Sequence, residues 1–269
     1  MRIKNAVLVS LILMASQAGF GQTFLMQTPA EGRPAFGARL MRPYFADADI
    51  DLSTLSGALD FFVNVPVGRQ INLVGRFAFN NVSIKGAGRE SGVGDLYVGL
   101  QSRHGEGSGL SASGGVYLPT ATEHLAARAI GLLSNLYEFP RSLPHVLTLY
   151  TNVAYHYRPR GILLASIEAG PTFSIPTGEN RGDAELLVHY GGALGVKVGA
   201  LGISGELLGV AVITEDVENF GDRFNHFVDL GIQLVKGEAR PALFYQIPLD
   251  DEFAEIDGVL GIKVELIAP

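Results

Sequence analysis

The stretch "ILLASIEAGPTFSI", Ile162 to Ile175, decides the fold. If this segment is extended, Leu163, Ala165, Ile167, Ala169, Pro171, Phe173 and Ile175 share one face, and Leu164, Ser166, Glu168, Gly170, Thr172 and Ser174 share the other. An apolar stripe at every second residue, held for about fourteen positions, is the period of a strand and not of a helix.

The same stripe recurs outward from this segment in both directions. Leu59, Phe61, Val63 and Val65 oppose Asp60, Phe62 and Asn64, and Ile71, Leu73, Phe77 and Phe79 oppose Asn72, Arg76 and Asn80. Leu96, Val98 and Leu100 oppose Asp95, Tyr97, Gly99 and Gln101. Towards the C-terminus, Val228, Leu230, Ile232 and Leu234 oppose Asp229, Gly231 and Gln233, and Leu260, Ile262, Val264 and Leu266 oppose Gly261, Lys263 and Glu265. Such segments predict about twelve strands, starting near Phe36, Ala58, Ile71, Val93, Gly109, Val146, Gly161, Ala184, Leu201, Phe224, Ala239 and Ile256.

Connections alternate between short and long. Short ones lie at Val67, Gly105, Pro159, Gly199 and Lys236; long polar ones fall around Asp47 to Thr54, Lys85 to Ser91, Pro119 to His145, Thr177 to Asp183, Glu215 to Gly221 and Asp250 to Glu255. Short turns on one side and long loops on the other are the pattern of an up-and-down barrel in a bacterial outer membrane. An even strand count also returns both ends to the short-turn side.

Face composition separates a membrane barrel from a soluble sheet. The second face carries Gly, Ser, Asn and Ala with one or two charges per strand, where a solvated sheet would be crowded with Lys, Glu and Arg. The apolar face is nearly free of charge, as lipid contact requires, because Lys or Arg at mid-bilayer costs about 2–4 kcal/mol. The chain is 47% hydrophobic and 17% charged, with 34 glycines and no Cys or Trp. Without cysteine it has no disulfides or thiolate metal sites. A formal charge of −7 disfavours nucleic acid as a partner.

The first residues read as an export signal. Arg2 and Lys4 precede the apolar core "AVLVSLILM", and "ASQAGFGQ" offers cleavage after Ala18 or Gly21. Losing Arg2 and Lys4 takes the formal charge from −7 to −9. The expected division is a signal peptide over 1–21 and one barrel domain over 22–269.

Charged residues on the second face become candidates for lining a lumen: Asp60, Arg76, Asp95, Arg103, Glu168, Lys197, Asp229, Arg240, Lys263 and Glu265. They either select what passes or pair with one another and close the barrel. The longest connection, 119–145, contains "EHLAARAIGLLSNLYEF" with apolar residues at helical spacing. Leu125, Ile130, Leu133 and Tyr137 make it a candidate gate at the barrel mouth, or else a packed external cap.

Other candidates recede. Acidic loops such as "DADID" lack the glycine and distal glutamate of a calcium loop and read as solvated, so neither a metal nor a cofactor is expected. None of the six histidines has a serine two residues on, and no Gly-x-Ser-x-Gly elbow occurs, so the expectation is a non-enzyme. "ESGVGDLYVGLQ", Glu90 to Gln101, looks like a phosphate loop, but alternation continues after it where a helix would be needed. It reads as a strand opening, with Asp95 as the first inward polar residue.

Three stretches then carry a family resemblance: "SGVGDLYVGLQ" (Ser91 to Gln101), "GGVYLPT" (Gly114 to Thr120) and "PTFSIPTGENRG" (Pro171 to Gly182). They resemble the outer-membrane barrels of the MetA-pathway phenol-degradation family, with a Gly-x-Gly-Asp strand opening and a later Leu-Pro-Thr-Gly strand end. The resemblance spans roughly Gly57 to Leu266. It implies a barrel of about twelve strands that lets small, often apolar molecules cross the outer membrane. The partners would then be outer-membrane lipid, a small-molecule solute and the barrel-assembly machinery.

Two features depart from this pattern. The chain ends "GIKVELIAP", without the terminal aromatic usual in such barrels, so Leu266 or Ile267 would have to serve. Pro43, Pro171 and Pro241 fall inside predicted strands, where each removes a ladder donor. The alternatives to a channel are a closed structural barrel that displays its loops, and a soluble periplasmic barrel with an apolar interior. They differ in one observable: which way Leu163, Ile167, Phe173 and Glu168 point.

Overall fold

A computed structural model describes residues 23–27, 32–46, 52–53, 56–84, 88–102, 108–159, 162–178, 182–214 and 220–268. The proposed signal peptide and its cleavage points lie outside these residues, as does Arg103.

Thirteen strand segments make a single antiparallel sheet. They are β1 (Ala35–Phe45), β2 (Gly57–Pro66), β3 (Ile71–Ile84), β4 (Gly88–Val93), β5 (Leu96–Ser102), β6 (Gly109–Leu118) and β7 (Val146–Tyr157). The series continues with β8 (Leu163–Pro176), β9 (Glu185–Val198), β10 (Leu201–Val212), β11 (Phe224–Leu234), β12 (Ala239–Pro248) and β13 (Ile256–Ile267). Apart from β4 and β5, each pairs with its neighbour in sequence, β1 also pairs with β13, and the β2–β3 pairing completes the ring. β4 and β5 are two halves of one wall strand, both paired with β3, so the ring is a closed barrel of twelve strands.

The break between β4 and β5 is a bulge. Phe79 pairs with Val93 and Arg76 with Tyr97, so three residues on one strand face two on the other. The predicted strand start at Val93 is therefore corrected: the strand begins at Gly88. Of the segment Lys85 to Ser91, read from sequence as a long loop, the residues from Gly88 onwards are wall, because β4 pairs with the end of β3.

Side-chain direction follows the sequence stripes. Leu163, Ile167 and Phe173 are 38%, 65% and 47% exposed on the outer surface, while Glu168 is 5% exposed inside. The outer surface is thus an apolar belt, which excludes the soluble barrel with an apolar interior. The prolines fit without disturbing the architecture. Pro171 and Pro241 keep register opposite Val188 and Val264, and the only irregularity of β1 comes just after Pro43, between Tyr44 and Phe45.

The interior is less uniformly polar than the alternation implies. Leu187, Leu208, Phe227 and Phe244 also point inwards, where they form an apolar core with Phe24, Leu136 and Tyr137. One helix, α1 (Leu125–Ser134), stands on the long connection 119–145.

The belt carries a direct test. Leu194, 68% exposed on β9, faces hydrocarbon at mid-strand. Leu194→Arg is expected to destabilise the barrel by about 2–4 kcal/mol in lipid vesicles, measured by folding titration. Arg at the exposed Leu249, beyond the end of β12, should cost no more than about 1 kcal/mol.

Candidate functional site: a lumen with two closures

The lumen is filled from both ends by segments that are not strands. The first is Thr23–Gln27, which precedes β1 and lies inside the barrel with Phe24, Leu25 and Met26 at 3%, 5% and 3% exposure. A segment without a ladder must satisfy its backbone elsewhere, and wall side chains do this. The Glu206 carboxylate accepts from the N–H groups of Phe24, Leu25 (3.1 Å) and Met26 (3.3 Å), and Glu168 accepts from that of Gln27 at 2.8 Å. Arg39 donates to the Phe24 carbonyl at 2.8 Å, and Lys263 to that of Thr23 at 3.2 Å. The Phe24 ring stacks on Phe244 with centroids 5.0 Å apart.

The second closure is the loop 119–145. Tyr137, 1% exposed, donates its hydroxyl to Glu168 at 2.7 Å, so one wall carboxylate holds both closures. Glu138 reaches Arg39 at 3.2 Å and also Arg76, while Arg141 reaches Asp60 at 2.6 Å and Arg39 contacts the same carboxylate at 2.8 Å. Burial by itself would raise the Glu138 carboxyl, but Arg76, Arg39 and Arg141 outweigh it and hold the group at about 2. Ile130 is buried and Leu133 packs on the inner core, whereas Leu125 is 69% exposed and takes no part in the seal.

The stretch Glu90 to Asp95 is the clasp for this loop. The Asp95 carboxylate accepts from the N–H groups of Thr120 (2.8 Å) and Ala121 (2.7 Å) at the start of the loop. The bulge frees the Asp95 N–H to donate to the Arg141 carbonyl near the loop's end, at 2.7 Å. Glu90 accepts from the N–H groups of Ala126 and Ala127, at the start of α1, where a carboxylate is favoured. The two glycines answer a close approach. A Cβ on Gly92 would lie 2.1 Å from the Thr122 hydroxyl, and one on Gly94 would lie 3.1 Å from the Arg141 carbonyl oxygen. Asp95 does face inwards as expected, but as a bracket for the loop rather than as a free wall of the passage.

Among the other predicted lining residues, Asp60, Asp229, Arg240, Lys263 and Glu265 are all buried inside, and Arg76 faces in. Lys197 sits half-buried at the short-turn end of β9. The structure brings Asp60 and Arg76 into one network through Arg39, Glu138 and Arg141, and gathers Glu168, Lys263 and Glu206 around Thr23–Gln27. Arg39, Glu138, Arg141 and Glu206 were not singled out from sequence. Glu206 shows only as one charge in "ISGELLGV", and Glu138 and Arg141 lie in a loop where charge is ordinarily solvated.

Between Thr23–Gln27 and the wall of β1–β3 lies a cavity of about 100 Å³. It runs from Ala35, Asn64 and Gln101 at the short-turn end up to Glu138 and Arg141. A separate buried relay links Ser111, His156 and Ser166, with His156 at 3.0 Å and 2.9 Å from the two hydroxyls. None of the three is more than 3% exposed. The sequence search for a serine two residues after histidine missed this grouping, since the partners lie on neighbouring strands.

No family model matches the chain, and no curated protein is similar to it. Among solved structures, the chain is similar to the COG4313 outer membrane channel from Pseudomonas putida F1, with a TM-score of 0.60 and 12% identity over 93% of this chain and 100% of that one. It also aligns with the translocator domain of the autotransporter NalP from Neisseria meningitidis, with a TM-score of 0.49 and 9% identity over 99% of this chain and 95% of that one. The fold is that of the bacterial outer-membrane β-barrels.

Two outcomes follow for the loop closure. Asp95→Ala leaves two loop N–H groups unpaired, which should weaken docking by about 1–3 kcal/mol and open 119–145 to added protease in the folded barrel. Because the Glu138 carboxyl is depressed below its ordinary 4.5, its contribution is complete above that pH and fades as pH falls towards about 2. Protease protection of the loop should accordingly hold from neutral pH to about 4.5 and decline below it, and Glu138→Gln should remove that acid-dependent step.

Proposed function

We propose that the protein lets small molecules cross the outer membrane through its lumen, with Thr23–Gln27 and the loop 119–145 as movable closures. The observation that carries this reading is the way the closures are held. Hydrogen bonds and ion pairs from side chains hold both segments, two backbone bonds at Val93 and Asp95 add to the hold on the loop, and neither segment is a strand of the barrel ladder. Either segment can therefore leave without breaking the wall, whereas a strand cannot. The cavity beside Thr23–Gln27 offers room for a solute once the upper seal parts.

The resemblance to the MetA-pathway family and the likeness to a protein described as an outer membrane channel support the same reading. The apolar side chains around the cavity, Leu25, Met26, Phe62 and Val74, favour a small solute with apolar surface. No catalytic role is proposed, since the Ser111–His156–Ser166 relay is sealed within the wall.

A second reading, a closed barrel that braces the envelope, is favoured by one observation: the lumen charges are largely paired and both ends are sealed. Planar bilayers separate the two. The intact protein should give low or intermittent conductance, and a variant lacking residues 23–27 should raise it at least several-fold. Glu206→Gln, which weakens the anchor on Phe24, Leu25 and Met26, should increase the frequency of opening. If the deletion variant folds as a barrel and passes neither ions nor solute, the closed structural reading holds.

A further inference from the structure

Three guanidiniums in the lumen, Arg39, Arg76 and Arg141, share two carboxylates, Asp60 and Glu138. Buried charge is tolerated where it is paired and hydrogen-bonded, and this cluster is one anion short. The deficit is visible at Arg141, which is 5% exposed and whose Nε and Nη2 have no hydrogen-bond partner. It is also visible at Arg76, whose side chain lies inside the wall and is 33% exposed. Its guanidinium sits over the Tyr97 ring, 5.3 Å from the centroid, and the residue lines the cavity. The nearby Asp95 carboxylate accepts from the Thr120 and Ala121 N–H groups through Oδ1 and makes no ion pair with the cluster. The apolar lining beside Arg76 comes from its β2 partner Phe62, from Val74 on its own strand, and from Leu25 and Met26 of the inserted segment.

We propose that this cavity is a binding site for a small monocarboxylate with a compact apolar body, its carboxylate on Arg76 and its body against Leu25, Met26, Phe62 and Val74. The guest carboxylate supplies the missing charge and accepts from the exposed edge of the guanidinium, the geometry in which Arg–carboxylate pairs are strongest. The inference deepens the proposed passage by naming a solute class and rests on that reading, so binding and flux are measured separately. Asp60 Oδ1 and Asp95 Oδ2 are also unpartnered, which makes an ammonium probe the opposing arm of the test.

The experiment is calorimetric titration of the purified full-length barrel in detergent micelles. The probes are cyclohexanecarboxylate, its neutral isostere cyclohexanecarboxamide, and cyclohexylmethylammonium. The expected result is saturable one-to-one binding of the carboxylate, with the amide and the ammonium each weaker by about tenfold or more. Arg76→Gln should weaken the carboxylate by about tenfold and leave the amide unchanged, and Arg76→Lys should restore part of the loss. Equal affinity for carboxylate and amide, tighter ammonium binding, an unaffected folded Arg76→Gln variant, or no saturable carboxylate binding each overturns the site. Where Arg76→Gln does not fold, the carboxylate-to-amide ratio of the wild-type protein decides. Saturable binding without flux through the variant lacking residues 23–27 upholds the site and refutes the passage, while carboxylate flux without saturable binding does the reverse.

Discussion

In hydrocarbon a strand has no water to bond to, so every backbone N–H and C=O must find its partner within the protein. The rest of this molecule depends on that constraint. It forces the sheet to close, here through β1 on β13 and β2 on β3, and it leaves only the β4 extension paired on one side. Closure in turn creates an interior that lies between two regimes. Eight strands make a barrel that its own side chains fill, and sixteen or more make an open channel. Twelve leave a gap, and the chain fills it with Thr23–Gln27 from the short-turn end and the loop 119–145 from the other.

Both filling segments import backbone groups into a place where they too must be satisfied, and this explains the inward acids. Glu206 and Glu168 act mainly as hydrogen-bond acceptors for N–H groups of Thr23–Gln27, and Glu168 serves the Tyr137 hydroxyl as well. Asp95 and Glu90 do the same for the loop. The guanidinium cluster plays a different part: Arg39, Arg76 and Arg141 cross-link wall and loop through Asp60 and Glu138. Acceptors thus seal the lumen, and cations both join the seal and leave an anionic place unfilled.

This division gives the two faces of the barrel unequal freedom. The belt needs only to be apolar, so Leu163, Ile167, Leu194 and Leu230 are exposed and interchangeable with other large aliphatics. The inner face is particular residue by residue, because the buried groups that hold the closures have specific partners, and removing one leaves the other stranded.

The strands, most of their approximate starts, the outward belt and inward acids such as Asp60, Glu168 and Asp229, though not Glu206, were legible because period two is a local signal that the membrane environment sharpens. Pairing partners, the bulge at Gly94 and Asp95, and the wall continuing back to Gly88 were not, since register depends on a neighbouring strand. Phe24 to Met26 carry no periodicity, and nothing in "TFLMQ" announces a segment buried in a lumen. The sequence by itself determined that twelve two-faced strands would form a barrel with lipid outside. Only the tertiary structure decided that the barrel is sealed, and by what. A strand's two faces are written in adjacent residues, whereas the partners of Glu168, Glu206 and Glu138 come from segments about 30 to 180 residues away, joined because a buried carboxylate is costly without a donor.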